Sequence, residues 1–258
     1  MTRQVKPLKK LGQHFLVDQV IAEQITDLLE PNKLNYNTVL EIGPGTGVLS
    51  RYLKDKHFKD YFMIEIDDRS VSFLKGQFPE LSDNILHEDF LSSDLSFIGT
   101  HQFAIIGNYP YNISSQILFR LLDIWEQVPE LVGMFQNEVA KRICSGPGNK
   151  TYGILSVLLQ AYYTTSYMFE VPPDKFDPPP KVNSGVIRLQ RKSEPGPGCD
   201  AKKFKTVVKT AFNQRRKTLR NSLKPLVANQ QIALPFADKR PEQLGFEQFA
   251  EIVHAIYP

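Results

Sequence analysis

Four residues at the end of one apolar run are spaced to do chemistry. The run Phe103-Ala104-Ile105-Ile106 stops at Gly107 and gives way to Asn108-Tyr109-Pro110-Tyr111. Pro110 fixes its own φ and biases Tyr109 toward an extended conformation, so Asn108 is held rigidly. The Asn108 side-chain oxygen and the Pro110 carbonyl can both accept hydrogen bonds from one exocyclic NH2. Tyr111 offers a flat face for a base to stack on, worth roughly 1–3 kcal/mol per base. An aromatic amine such as adenine N6 is a poor nucleophile because its lone pair is delocalised into the ring. Accepting both its protons favours a pyramidal nitrogen with a localised lone pair, which can attack a methyl group in line at about 3–3.5 Å. No strong base is needed, since the methylated nitrogen is acidic. A second aromatic, Phe176, stands before three prolines in FDPPPKVNSG. Held on a stiff loop it sandwiches a flipped base against Tyr111; the alternative is core packing.

A ligand-binding pattern precedes that stretch. VLEIGPGTG runs from a strand into a helix through Gly43, Gly45 and Gly47. Glycines there admit close backbone approach, and the following helix offers free N–H groups. The dinucleotide pattern GxGxxG would put its third glycine at Val48. GxGxG is instead the form of S-adenosylmethionine (SAM) methyltransferases. The next strand ends at Glu65, placed to accept from both ribose hydroxyls, and the third near Asp89, placed to receive an adenine amino group. Glycines, an acid and an acid then occupy three successive strand tips, where open α/β sheets bind ligands. Glu65 suits an NAD ribose equally well; the missing glycine and the fourth tip, at Asn108, favour SAM.

These tips need a scaffold. Short apolar runs (Thr38 to Ile42, Tyr61 to Ile66, Asn84 to His87, Phe103 to Gly107, Leu131 to Phe135) alternate with helical patterns. A helix is read over residues 19 to 30, ended by Pro31; others span Gly47 to Lys56, Arg69 to Gln77, Ser114 to Trp125, Asn137 to Ile143 and Tyr152 to Tyr163. Two late strands, Ser166 to Val171 and Gly185 to Gln190, read as an antiparallel pair at one edge. The fold class is α/β: a Rossmann-like SAM-dependent methyltransferase sheet with helices on both faces, plus a small all-helical C-terminal domain. The linker SEPGPG places the boundary so that residues 1–194 form the catalytic domain and 195–258 a small helical one.

Charge is uneven along the 258 residues. Positions 201 to 237 hold nine of the 31 Lys and Arg and no acid, so the rest carries 22 basic against 28 acidic residues, a net of −6. Arg3, Lys6, Lys9 and Lys10 precede the first acid at Asp18. Basic clusters on an acidic body point to a polyanionic partner. Within AFNQRRKTLRNSL, Arg215, Arg216, Lys217 and Arg220 share one helical window and can neutralise several phosphates. They carry no base-reading signature, so a polyanion is expected to be held through its backbone. Cys144 and Cys199 form no CxxC pair and read as inert thiols in a reducing compartment. The five histidines lack HxxxH or HxH spacing, so no metal site is expected. No apolar run approaches the roughly 18 residues of a membrane span and no signal-peptide core follows the basic start, which predicts a cytoplasmic protein with no membrane partner.

The segments GQHFLVD, EIGPGTG, GNYPYNIS, FDPPPKVNSGVIRL and FNQRRKTLRNSL occur in this order over nearly the whole chain. Together they resemble the rRNA adenine-N6 dimethyltransferases, specifically the bacterial small-subunit (16S) branch. The resemblance implies SAM-dependent conversion of two adjacent adenines, near the 3′ end of small-subunit rRNA, to N6,N6-dimethyladenine. It also implies a role late in subunit assembly, on an immature 30S ribosomal particle. Matching positions put cofactor contacts on His14, Leu16, Gly43, Glu65, Asp89 and Asn108, with Gly45 in the same glycine turn. The family commonly has Asn in place of His14, which can still donate to a carboxylate, and Leu or Ile in place of Tyr109. Tyr109 either packs under the cofactor or widens the aromatic cage. Rival readings are the large-subunit rRNA branch of the same family, a non-catalytic assembly factor and an NAD-dependent oxidoreductase. Nothing in the sequence asks for an obligate dimer, so the chain is read as a monomer.

Overall fold

The computed structural model describes residues 5–8, 11–227 and 232–258; Arg3, Lys9 and Lys10 lie outside them. The described residues form nine strands: β1 (Phe15–Leu16), β2 (Thr38–Ile42), β3 (Asp60–Glu65), β4 (Ile85–His87), β5 (Phe103–Asn108), β6 (Glu130–Gln136), β7 (Tyr163–Val171), β8 (Phe176–Asp177) and β9 (Ser184–Arg191). Seven of them make one sheet in the order β4-β3-β2-β5-β6-β9-β7. β2 pairs in parallel with β3 and β5, as do β3 with β4 and β5 with β6, whereas β9 runs antiparallel to β6. Every residue of β2 is buried, so both faces of the sheet centre are covered. From β2 the chain winds outward through β3 and β4, then returns to β5 on the other side. The crevice at this reversal, above the tips of β2 and β5, is where such sheets bind ligands.

The last two strands of the sheet are neighbours at one edge, and β9 reaches in to join β6. The helix read over 19 to 30 is shorter: Gln19–Asp27, with Asp18 accepting from the Ile21 N–H as N-cap. Pro31 does not end it but opens a separate turn, Pro31–Leu34, at a position where the missing N–H costs nothing. After the glycines only Ser50–Leu53 is helical. A two-stranded ladder of β1 and β8 was not expected; it pairs Phe15 with Asp177 and Leu16 with Phe176.

At the end of the sheet away from the crevice, Glu130 is fully buried and satisfied. It accepts from the Tyr36 hydroxyl at 2.6 Å, the Glu30 N–H at 2.9 Å and Arg188 Nε at 2.7 Å. Arg188 also pairs with Glu30, whose carboxyl it and Lys33 hold down to about 2.

The contacts divide the chain into two compact units, 1–140 with 166–190 and 141–165 with 191–258. The second unit therefore reaches back to include residues 141–165, earlier than the linker suggests. The reason is apolarity: in Ile154–Tyr162 the residues Leu155, Val157, Leu158, Leu159, Ala161 and Tyr162 are all buried. This helix packs against Ala201–Asn213 and Phe246–Ile256. Phe212 bridges them, 6.3 Å from Tyr152 and 6.0 Å from Phe249 between ring centroids. Beyond Arg191 the described residues contain helices and turns but no strand.

Candidate active site

The first unit carries a cleft over the tips of β2 to β5, walled by residues 11–16 and by Asn108 to Ile113. Gly43 has φ +65° and nothing within 4 Å of where a β-carbon would stand, so its backbone is open to a ligand. Gly45 leaves room for the Phe15 ring, which a β-carbon would meet at 2.8 Å. Glu65 is buried beside this turn. Its Oε2 accepts from the Gly45 N–H at 3.1 Å and its Oε1 from the Asp67 N–H at 2.9 Å. Burial pushes its carboxyl up, and these two donors oppose the shift. Each oxygen keeps a lone pair for a ribose hydroxyl. Asp89 also lines the cleft; its Oδ1 accepts from the Leu91 N–H at 2.9 Å.

At the fourth tip the orientation of Asn108 is settled by its partner. Nδ2 donates to the His14 carbonyl at 2.9 Å. A carbonyl only accepts, so Oδ1 is the oxygen left to accept from a ligand. The Pro110 carbonyl accepts from the Ile113 N–H at 3.2 Å and retains a second lone pair. The Tyr111 hydroxyl bonds Ser184 Oγ at 2.5 Å, which fixes the ring.

His14 stacks on Tyr111, with ring centroids 5.6 Å apart and planes 28° off parallel. Its Nδ1 lies 2.8 Å from the Pro178 carbonyl and must therefore carry the hydrogen. With Nδ1 so engaged, Nε2 is the ring nitrogen left for a ligand. Leu16 lines the cleft while its side chain is buried in the core.

Tyr109 lies under the cleft rather than in an aromatic cage. It is 1% exposed and its ring rests across Gly107 and Gly133, which face each other in the β5–β6 register. Phe176 is not brought to the cleft: it is 4% exposed, paired with Leu16, and part of the hydrophobic core. The base-sandwiching role drawn from the stiff loop is thus replaced, in this structure, by core packing.

Three contributors escaped the sequence reading. Gln13 bridges the Leu8 N–H and Asp67 Oδ2, at 2.8 and 3.1 Å. Ser184 anchors Tyr111. Glu41, in the middle of an apolar run, is buried beneath the cleft. An acid flanked by Leu40 and Ile42 was the available signal.

In the second unit the four basic candidates are not equivalent. Arg215 Nη2 donates to the Lys150 carbonyl at 2.6 Å, and Arg220 pairs with Asp238 at 2.8 Å. Arg216 and Lys217 are exposed.

Comparison with known proteins follows the same lines. A family model described as ribosomal RNA adenine dimethylase matches residues 5–256. Ribosomal RNA small subunit methyltransferase A of Parabacteroides distasonis is 56% identical over 252 residues, 97% of this chain and 94% of that one. Its namesake in Cytophaga hutchinsonii is 53% identical over 253 residues, 98% of each. Among solved structures, a dimethyladenosine transferase from Plasmodium falciparum shares the fold, with a TM-score of 0.74 at 23% identity over 93% of this chain and 96% of that one. The 23S rRNA methyltransferase ErmE gives 0.68 at 26% identity, over 93% and 99%. Sheet order and cleft define a Rossmann-like methyltransferase of the SAM-dependent type. Within that class, the chain belongs to the ribosomal RNA adenine dimethylase family.

Proposed function

We propose that this chain dimethylates the N6 of two adjacent adenines near the 3′ end of small-subunit (16S) rRNA, using SAM, late in the maturation of the 30S particle. It acts as a cytoplasmic monomer. The observation that carries the reading is the free acceptor at Asn108: its amide nitrogen is spent on the His14 carbonyl, so Oδ1 and the Pro110 carbonyl together offer two acceptors to one amine. Residues that fit SAM are in place, with an open Gly43, Glu65 and Asp89 for the adenosine, and Asn108 at the crevice. SAM supplies an electrophilic methyl group on a sulfonium. Asn108 and Pro110 draw both N6 hydrogens into their acceptors and localise the lone pair. A transfer would form the N–CH3 bond as the S–CH3 bond breaks, leaving S-adenosylhomocysteine; the methylated nitrogen then loses one proton to water, keeps one hydrogen, and is held by the same acceptors for a second transfer. Tyr111, locked by Ser184, supports the base from one side. Arg216 and Lys217 engage phosphates, with specificity drawn from RNA shape.

The small-subunit branch is favoured over the large-subunit one because relatives named for the small subunit share more than half of their residues with this chain, against 26% for ErmE. The test is transfer of tritium from labelled SAM to immature small subunits, followed by digestion to nucleosides. Labelled dimethyladenosine is expected with the natural chain. Asn108→Ala is expected to lose 10²-fold or more of the rate, the order for removing one preorganised hydrogen-bonding group, while still binding SAM weakly. Full activity in that variant refutes the role given to Asn108, and label in large-subunit rRNA alone refutes the substrate.

A further inference from the structure

Glu41 is a buried acid that the reaction above does not use. It sits on β2 two residues before Gly43, in register with Met63 of β3 and Ile106 of β5, directly under the switch-point crevice. It is 1% exposed and lines the cleft. Both of its hydrogen bonds fall on one oxygen: Oε2 accepts from Ser50 Oγ at 2.7 Å and from the Tyr61 hydroxyl. Oε1 has no partner among the described residues. The polar groups facing Glu41 are Ser50 from the helix after the glycine turn, Tyr61 and Glu65 from β3, and Tyr109 just after β5. None of them is a cation, and Glu65 further disfavours its charge. Burial lifts the Glu41 carboxyl to about 7. A buried acid without a counter-ion is costly, and a glutamine could accept from the same two hydroxyls. The arrangement is explained if the positive charge arrives with the ligand.

We propose that Glu41 is the counter-charge for the sulfonium of the cofactor, ionising as the cofactor binds, so that the cleft prefers the charged methyl donor to its uncharged-sulfur product. The inference rests on the methyltransferase reading. Glu41 lines the same cleft as the glycine turn and Asn108, on the strand that pairs with β5, so a cofactor held by both would have its charged sulfur within reach of this carboxyl. Binding then expels the proton that burial holds on the carboxyl, and departure of the methyl group as a transferred unit removes the charge that kept it ionised.

The test is calorimetric titration of the full chain with SAM and with S-adenosylhomocysteine, in buffers of different ionisation heat. At pH 7 a net release of protons is expected on SAM binding, and clearly less on S-adenosylhomocysteine binding. Near pH 9 release is expected to vanish, because Glu41 is already charged. Glu41→Gln is expected to abolish release and weaken SAM roughly tenfold, with less than a twofold change for the product. Tyr61→Phe keeps the carboxyl but removes a donor to its charged form, so the pH at which release is half-maximal is expected to rise. Proton release that survives Glu41→Gln, or a SAM-to-product preference unchanged by it, overturns the inference and leaves the enzyme assignment standing. Failure of the natural chain to bind either ligand overturns both.

Discussion

The Tyr109 slot yields a stability prediction that can be worked from distances. A β-carbon at Gly133 would stand 2.1 Å from Tyr109 Cε2, 2.9 Å from Cζ and 3.0 Å from Cδ2. That is more than an ångström short of ordinary contact. The ring has little room to retreat. Its other edge lies over Gly107, where a β-carbon would fall 2.7 Å from Cε1, and Phe135 packs 4.9 Å away. Gly133→Ala therefore overpacks the sheet centre, at about 3 kcal/mol, of which β-propensity returns about 1 kcal/mol at most. A net loss of about 2 kcal/mol lowers Tm by roughly 4–8 °C in a chain of this size. Tyr109→Leu alone leaves a cavity and costs about 2 kcal/mol. Combined, the leucine vacates the space that the alanine needs. The double variant is expected to be more stable than the sum of the two losses by about 1.5 kcal/mol or more, a coupling typical of touching residues. Thermal unfolding of the four proteins measures it. Additivity within 0.5 kcal/mol, or Gly133→Ala unfolding like the natural chain, refutes the slot.

Charge reversal of Arg216 and Lys217 is expected to weaken RNA binding and flatten the slope of log affinity against log salt by about 1–2. Arg215 variants are expected to lower Tm as well, because its guanidinium holds the Lys150 carbonyl; an unchanged slope in the Arg216/Lys217 variant moves the RNA surface elsewhere. Glu30 is held at about 2, below its ordinary 4.5, by Arg188 and then Lys33. Its stabilisation is thus complete above about pH 4.5 and is lost as pH falls through about 2. Glu30→Gln is expected to remove part of the fall in Tm between pH 5 and pH 2, and parallel curves for the two proteins refute the pairing.

How much of this was legible in the sequence depended on whether a residue acts locally. Parallel strands deliver ligands to their carboxyl ends, so glycines, Glu65, Asp89 and Asn108 could be placed in the cleft from strand order alone. The β1–β8 ladder could not, since two-residue strands have no periodicity. Phe176 looked available because a stiff loop follows it, yet strand pairing with Leu16 turns it into the core. Tyr109 was undecidable because its slot needs two glycines 26 positions apart to fall opposite each other, a fact of register. The linker marked a composition change, but residues 141–165 follow their apolar surface into the second unit. Arg215 and Arg216 are adjacent in sequence, and only the fold separates a structural cation from an exposed one.

The acceptor at Asn108 is set by chain segments far from it. Pro110 restricts the backbone, as local chemistry requires, but the amide could still turn either face to the cleft. What chooses is the His14 carbonyl, 94 residues away, carried on the segment that β1 binds to β8. His14 in turn is tied to the Pro178 carbonyl just after β8, and it stacks on Tyr111, which Ser184 anchors at the start of β9. The segment that follows β8 thus braces the tip twice, through the Pro178 carbonyl on His14 and the Ser184 hydroxyl on Tyr111. A cut in this ring of contacts frees the Asn108 amide to rotate and present a donor where an acceptor is needed. An amine whose two hydrogens meet an N–H instead of a carbonyl loses the interaction that localises its lone pair. On the role proposed for Asn108, loss of the β1–β8 ladder is expected to lower transfer of label from SAM to the small subunit even with every residue of the cleft intact, and an unchanged rate refutes the coupling.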